Sequence, residues 1–218
     1  MERYKMVNNI CELINVSKKY GNYSVLRHIN MSIAQGEMIA ITGKSGAGKT
    51  TILNTIGMLE QPDEGSIKLF GNDLPHPRSS HAVKLLRNHI SYLFQNYALI
   101  DNATIDANLD VALAYSKKSK SEKKLLKINA LSQVGLNLSL KQKVHELSGG
   151  EQQRVAIARV ILKPCELILA DEPTGSLDGH NRDDILALLQ QLNSEGKTLI
   201  IVTHDSAVAQ ACSRIINI

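Results

Sequence analysis

Eight consecutive residues, Gly43-Lys44-Ser45-Gly46-Ala47-Gly48-Lys49-Thr50, constrain this chain more than any other stretch. They match the pattern G-x-x-x-x-G-K-[ST]. The apolar run Glu37-Met38-Ile39-Ala40-Ile41 precedes them, and Thr51 to Leu59 follows with Ile52, Leu53, Ile56 and Leu59 at helical spacing. A buried strand that turns through glycines into a helix is therefore expected. Glycines let backbone N–H groups turn inward around an anion. The helix that starts near Lys49 presents the positive end of its dipole to the same point. Lys49 can then reach the β- and γ-phosphates of a nucleotide, and the Thr50 hydroxyl can ligate Mg²⁺. Thr51, the next residue, is a further candidate for binding the nucleotide. The alternative is a plain glycine-rich turn with an exposed lysine.

The remaining sequence fits an α/β fold built around that loop. Leu13 to Val16 and Val25 to Ile33 read as strands that pair near the N-terminus, and Ser66 to Phe70 as another. His81 to Asn88 reads as a helix and Ile90 to Phe94 as a strand. From Tyr97 to about His145 the Val- and Ile-rich runs disappear, and Leu109 to Tyr115 and Leu125 to Val134 read as helices. Strand and helix then alternate again. Gln152 to Leu162 is helical and ends before Pro164. Leu167 to Ala170 is a strand, Ile185 to Leu192 a helix and Thr198 to Val202 a strand. Ser206 to Ala211 is a short helix, and Ile215 to Ile218 opens a last strand. The expected division is a catalytic core of residues 1–96 and 158–218, with residues 97–157 as a helical subdomain.

Composition narrows the class. The chain has 218 residues, 43% hydrophobic and 21% charged, as in ordinary globular proteins. No apolar run approaches the roughly 18 residues that a membrane-spanning helix needs. Met1-Glu2-Arg3-Tyr4-Lys5 lacks the apolar core of a signal peptide, so a cytosolic protein anchored by another subunit is expected. Cys11, Cys165 and Cys212 have no metal-ligand spacing and read as reduced thiols. The densest basic run is Lys117-Lys118-Ser119-Lys120-Ser121-Glu122-Lys123-Lys124, with no interleaved aromatic residue. It reads as a solvated helix face or loop, and nucleic acid is not an expected partner.

Two further stretches carry chemistry. Leu167-Ile168-Leu169-Ala170-Asp171-Glu172 is an apolar strand that ends in two carboxylates, a Walker B pattern. Alternation along a strand points them different ways, so one can support Mg²⁺ while the other orients and deprotonates a water. Leu147-Ser148-Gly149-Gly150-Glu151 precedes Gln152-Gln153-Arg154. Ser148 can cap the next helix, with Glu151 completing a capping box. The serine and two glycines also make a second backbone donor site suited to phosphate.

Taken in order, these motifs resemble the ATP-binding domain family of ABC transporters, and the resemblance covers essentially the whole chain. It implies a phosphate-loop NTPase core of the RecA-like kind with a mostly parallel sheet, an N-terminal antiparallel β region and the inserted helical subdomain. Tyr20, in Lys18-Lys19-Tyr20-Gly21, looks like the aromatic residue that stacks on adenine, with Tyr23 as the nearby alternative. Gly43 to Thr50 looks like Walker A, and Gln95 like the glutamine that joins the metal site and senses the transmembrane partner. Ser148, Gly149 and Gly150 look like the signature loop. Ser176-Leu177-Asp178 looks like the D-loop, and His204 like the switch histidine. The resemblance implies ATP and Mg²⁺ as cofactors, Glu172, His204 and Gln95 as catalytic residues, and Thr50, Gln95 and Asp171 around the metal. It also implies an ATP-dependent homodimer, with each nucleotide between Walker A of one copy and the signature loop of the other, and a transmembrane permease subunit as partner.

Leu86-Arg87-Asn88 and Ala170 to Asp178 are similar to the macrolide-efflux and lipoprotein-release subfamily, features shared with peptide and bacteriocin exporters. Where that subfamily carries Glu-Asn-Val, this sequence has Asp106-Ala107-Asn108-Leu109, in a region expected to face the transmembrane partner. The sequence ends at Ile218, where the family commonly adds a short hairpin, and no regulatory domain is expected after it. The expected function is an ATPase that drives an exporter of peptide, bacteriocin or lipophilic cargo. The alternatives are a regulatory ATPase that signals across the membrane, or a soluble one acting on nucleic acid or ribosomes.

Overall fold

The computed structural model describes residues 9–175 and 177–218, so the readings of Met1 to Lys5 and of Ser176 lie outside the described residues. Two sheets organise the molecule. In the first, β1 (Asn9–Tyr20) and β2 (Tyr23–Ala34) form a long antiparallel hairpin around Gly21. β4 (Glu64–Leu69) and β5 (Asn72–Asp73) extend it in the order β2-β1-β4-β5. The hairpin strands are longer than the sequence runs suggest because bulges interrupt their alternation. Asn15, at φ 52, sits where the register shifts between Leu13 and Val16, and it exchanges hydrogen bonds with Asn30.

The second sheet is parallel throughout, in the order β6-β7-β8-β3-β9. Its strands are β3 (Met38–Thr42), β6 (Ile90–Leu93), β7 (Leu167–Asp171), β8 (Thr198–Val202) and β9 (Arg214–Asn217). β7 and β8 are buried at every position, which is why they read as unbroken apolar runs. Their side chains alternate between two cores. Ile168, Ala170, Leu199 and Ile201 face the core that holds the helical segment. Leu167, Leu169, Ile200 and Val202 face the core shared with α1 (Lys49–Ile56) and the antiparallel sheet.

The helical segment contains α3 (Ile105–Asp110), α4 (Lys120–Gln133) and a single 3-10 turn at Val144–Glu146, and leads into α5 (Gly149–Leu162). α5 is continuous across residue 157 and packs its Val155, Ala156 and Ile157 into the core. α2 (Ser80–Asn88), α6 (Gly179–Ser194) and α7 (Ser206–Gln210) complete the fold. The helix expected from Leu109 to Tyr115 lies four residues earlier. Thr104 caps it, accepting from the Ala107 N–H at 3.2 Å, and the chain breaks into turns after Asp110. Inside α3, Asn108 is fully buried. It bonds the Ile100 N–H at 2.7 Å, the Ile100 carbonyl at 3.1 Å and the Thr104 carbonyl at 3.0 Å. The lysine run ends in the exposed first turn of α4, where Ser119 and Glu122 form a capping box.

Candidate nucleotide-binding site

In a parallel sheet all strands end on one edge, and loops leaving that edge converge. Four such loops converge here. The phosphate loop follows β3, Gln95 follows β6, Glu172 follows β7 and His204 follows β8. Between them lies a cleft of about 440 Å³ lined by Tyr20, Val25, Ser45, Gly46, Gly48, Lys49, Thr50, Thr51, Gln95, Asp171, Glu172, Val202 and His204. Glu172 and His204 are 32 positions apart and Thr50 and Asp171 are 121 apart, so only the sheet brings them together.

The loop's backbone explains its glycines. Gly46 has φ 80 and Gly48 φ 91, a region open to glycine at little cost. Gly48 is the N-cap of α1, and a Cβ there would meet Leu26 Cδ2 at 2.6 Å. Gly43, Lys44 and Ala47 form the start and turn of the loop, and the Ala47 N–H donates to the Lys44 carbonyl at 3.1 Å. Lys49 Nζ donates to the carbonyls of Gly43 at 2.9 Å and Lys44 at 3.0 Å, which holds the ammonium across the loop.

Thr50 Oγ1 donates to Asp171 Oδ1 at 3.2 Å. Asp171 is only 9% exposed, and burial pushes its carboxyl above the usual carboxylate range, against the pull of the Thr50 hydroxyl. A cation beside it would favour the charged form. Thr50, Asp171 and the Gln95 amide present oxygen ligands to one cleft, the donor set that suits Mg²⁺. Among the described residues no three His, Cys, Asp or Glu side chains cluster as a metal site, so phosphate oxygens and water would supply the remaining ligands.

Glu172 is held in a left-handed conformation at φ 45, rare for a residue with a side chain. Its N–H donates to the Val202 carbonyl at 2.9 Å. The turn aims the carboxylate across to His204, whose Nδ1 lies 2.8 Å from Oε1. Glu172 and Asp171 thus diverge, one toward the histidine and one toward Thr50. A carboxylate that holds a histidine over a phosphate cleft can accept a proton from water while the ring senses the phosphate.

Tyr20, at the end of β1, is half exposed, and its hydroxyl donates to the Glu60 carboxylate. Asn54 of α1 in turn donates to Glu60 at 2.8 Å, so the aromatic ring is tethered to the helix that follows the phosphate loop. Tyr23 is more exposed and does not line the cleft.

Ser148, Gly149, Gly150 and Asp178 do not line this cleft. They form a second surface. Ser148 and Glu151 close the expected capping box of α5. A Cβ on Gly149 would stand 3.1 Å from the Tyr97 hydroxyl, and one on Gly150 2.7 Å from Asn181 Oδ1. Asn181 is held by Asp178, which caps α6 and accepts from the Asn181 backbone and side chain at 2.9 Å each. Those bonds hold the Asp178 carboxyl below its usual range. Residues 148–151 and the start of α6 at Asp178 and Asn181 therefore make one packed unit. Gln153, 1% exposed, ties that unit to the first site through a 2.6 Å bond to the Pro173 carbonyl. Asn181, Gln153 and Tyr97 have no local sequence signal, because their partners come from other segments.

A G-x-x-x-x-G-K-T loop between strand and helix, an acidic strand end and a histidine on one sheet edge define a core of the phosphate-loop class. The family described as ABC transporter matches residues 26–175, and the chain belongs to that family. Among similar proteins, the Macrolide export ATP-binding/permease protein MacB of Shewanella sp. (strain ANA-3) is 42% identical over 213 residues, 94% of this chain and 32% of that protein. The chain thus spans about a third of the length of the curated relatives it matches. Among solved structures, the ATP-binding cassette MJ0796, in a dimeric post-hydrolysis state with ADP and Pi, has a TM-score of 0.87 and 36% identity, covering 95% of this chain and 94% of that one. CbiO1 from Clostridium perfringens, part of an ABC transporter complex, has a TM-score of 0.85 and 28% identity, covering 96% and 84%. The α/β architecture, with an antiparallel sheet beside a parallel one, is that of these cassettes.

Proposed function

We propose that this chain binds ATP and hydrolyses it to ADP and phosphate, as the cytoplasmic engine of a membrane transporter. The observation that carries the reading is the Glu172–His204 pair set beside the Thr50–Asp171 pair in one phosphate-loop cleft. Lys49 and the loop N–H groups hold the β- and γ-phosphates, and Tyr20 supports the adenine. Thr50, Asp171 and Gln95 would hold Mg²⁺. The ion would supply charge neutralisation at the β- and γ-oxygens. Glu172 takes the proton of the attacking water, and His204 orients the γ-phosphate.

The second half of the site comes from another copy. Ser148, Gly149 and Gly150 do not line the Lys49 cleft of their own chain, and the MJ0796 cassette is dimeric, which together support a head-to-tail homodimer with two composite sites. Residues 97–157 act as a helical subdomain and the remainder as the catalytic core. A groove of about 420 Å³ beside Phe94, with Val83, Val111 and Tyr115 exposed at its rim, supports docking of a transmembrane subunit there. No helix among the described residues is long and apolar enough to cross a membrane, so attachment would be peripheral, through that subunit. The macrolide-export relatives support an exporter of peptide, bacteriocin or lipophilic cargo.

Phosphate release from Mg-ATP by the purified chain tests the reading. Glu172→Gln is expected to keep ATP binding, lose turnover by at least ~100-fold and accumulate as an ATP-bound dimer. Normal turnover in that variant would mean the base lies elsewhere.

A further inference from the structure

Gln95 lines the cleft, yet its side chain and that of Asn96 make no hydrogen bond among the described residues, and both are exposed. The chain on either side is firmly held. Before them, Phe94 stacks on Tyr92 with centroids 4.5 Å apart and planes 10° apart, and the Tyr92 hydroxyl donates to Asn54 of α1 at 3.2 Å. After them come two consecutive left-handed residues, Tyr97 at φ 62 and Ala98 at φ 47. A single such non-glycine residue is uncommon, and a pair needs outside support.

Arg159, three turns into α5, supplies that support. Its guanidinium donates to the Ala98 carbonyl at 2.6 Å and to the Tyr97 carbonyl at 2.9 Å. The planar fork fits both acceptors at once, which an ammonium cannot do. Arg159 makes no ion pair among the described residues, so its charge is directed at these two carbonyls. The Tyr97 ring then continues to the other end of α5, where its hydroxyl stands over Gly149.

We propose that Arg159 is a positioning residue that fastens the chain after Gln95, at Tyr97 and Ala98, to α5. The effect on turnover rests on the ATPase reading above, whereas the clamp itself rests on geometry.

Hydrogen exchange and steady-state ATPase kinetics on the full chain separate the two. In Arg159→Gln, exchange of the Tyr97 and Ala98 amides is expected to rise at least ~10-fold, while β6 and the middle of α5 keep wild-type protection. The kcat is expected to fall at least ~10-fold with the KM for ATP within about two-fold of wild type, because the phosphate loop and Tyr20 are untouched. Arg159→Lys should recover part of both. If Arg159→Gln loses its cooperative thermal transition, Arg159→Lys carries the same measurements, with an expected change of about three-fold. Unchanged exchange at 97–98 overturns the clamp. Raised exchange with wild-type kcat overturns its link to turnover. A wild-type chain without ATPase activity would instead refute the ATPase reading, and exchange would still decide the clamp.

Discussion

Lys49 shows what one side chain contributes. Its ammonium already bridges two carbonyls of its own loop, and it is the cation proposed to face the phosphates. Lys49→Ala is expected to weaken ATP binding and abolish turnover, since a charge-assisted contact to phosphate is lost. Calorimetry checks it, and unchanged affinity would count against the assignment. Tyr20 separates two roles in one residue. Tyr20→Ala should cost on the order of 1 kcal/mol of ATP affinity through lost stacking. Tyr20→Phe keeps the ring and removes only the bond to Glu60, so its affinity should stay near wild type. Equal losses in the two variants would shift the role from the ring to the hydroxyl tether.

Elements differ in how far their sequence announces them. The phosphate loop and the Walker B strand are legible because their chemistry is contiguous: one loop, one strand end, the ligands side by side. α3 is less so. Leu109 and Leu113 suggest a helix that runs onward, but the determining signals are the Thr104 cap and the buried Asn108, and a polar residue gives no sign that it will be fully buried. The fastening of Tyr97 and Ala98 by Arg159 spans about 60 residues and exists only after α5 has docked. Asn108 also makes a prediction at this scale. Asn108→Ala leaves the Ile100 N–H without its partner, while the Ile100 and Thr104 carbonyls each keep a backbone donor, and should destabilise the protein by about 1–3 kcal/mol in denaturant unfolding. A loss below ~0.5 kcal/mol would mean the 100–104 segment is held by other contacts.

The two halves of each proposed site, the Lys49 cleft and residues 148–150, are separate within one chain, and pairing tests that arrangement. Gly149→Asp puts a side chain against Tyr97 and a carboxylate where the partner's phosphate should approach. Binding of ATP to the monomer should survive, and dimerisation and hydrolysis should stop. Mixing Gly149→Asp with Lys49→Ala chains should restore roughly a quarter of wild-type activity, one intact site in half of the randomly formed dimers. Full turnover by Gly149→Asp alone would sink the head-to-tail arrangement.

The capping box at Ser148 has a consequence for the cycle. The Ser148 hydroxyl and N–H both donate to the Glu151 carboxylate at 2.8 Å, so the start of α5 already carries an anion of its own. Negative charge at a helix start stabilises it whether it comes from a side chain or from a visitor. The loop therefore keeps its shape between visits. In the proposed dimer, an arriving phosphate would meet a helix end that its own glutamate already holds, and loading would need no refolding step.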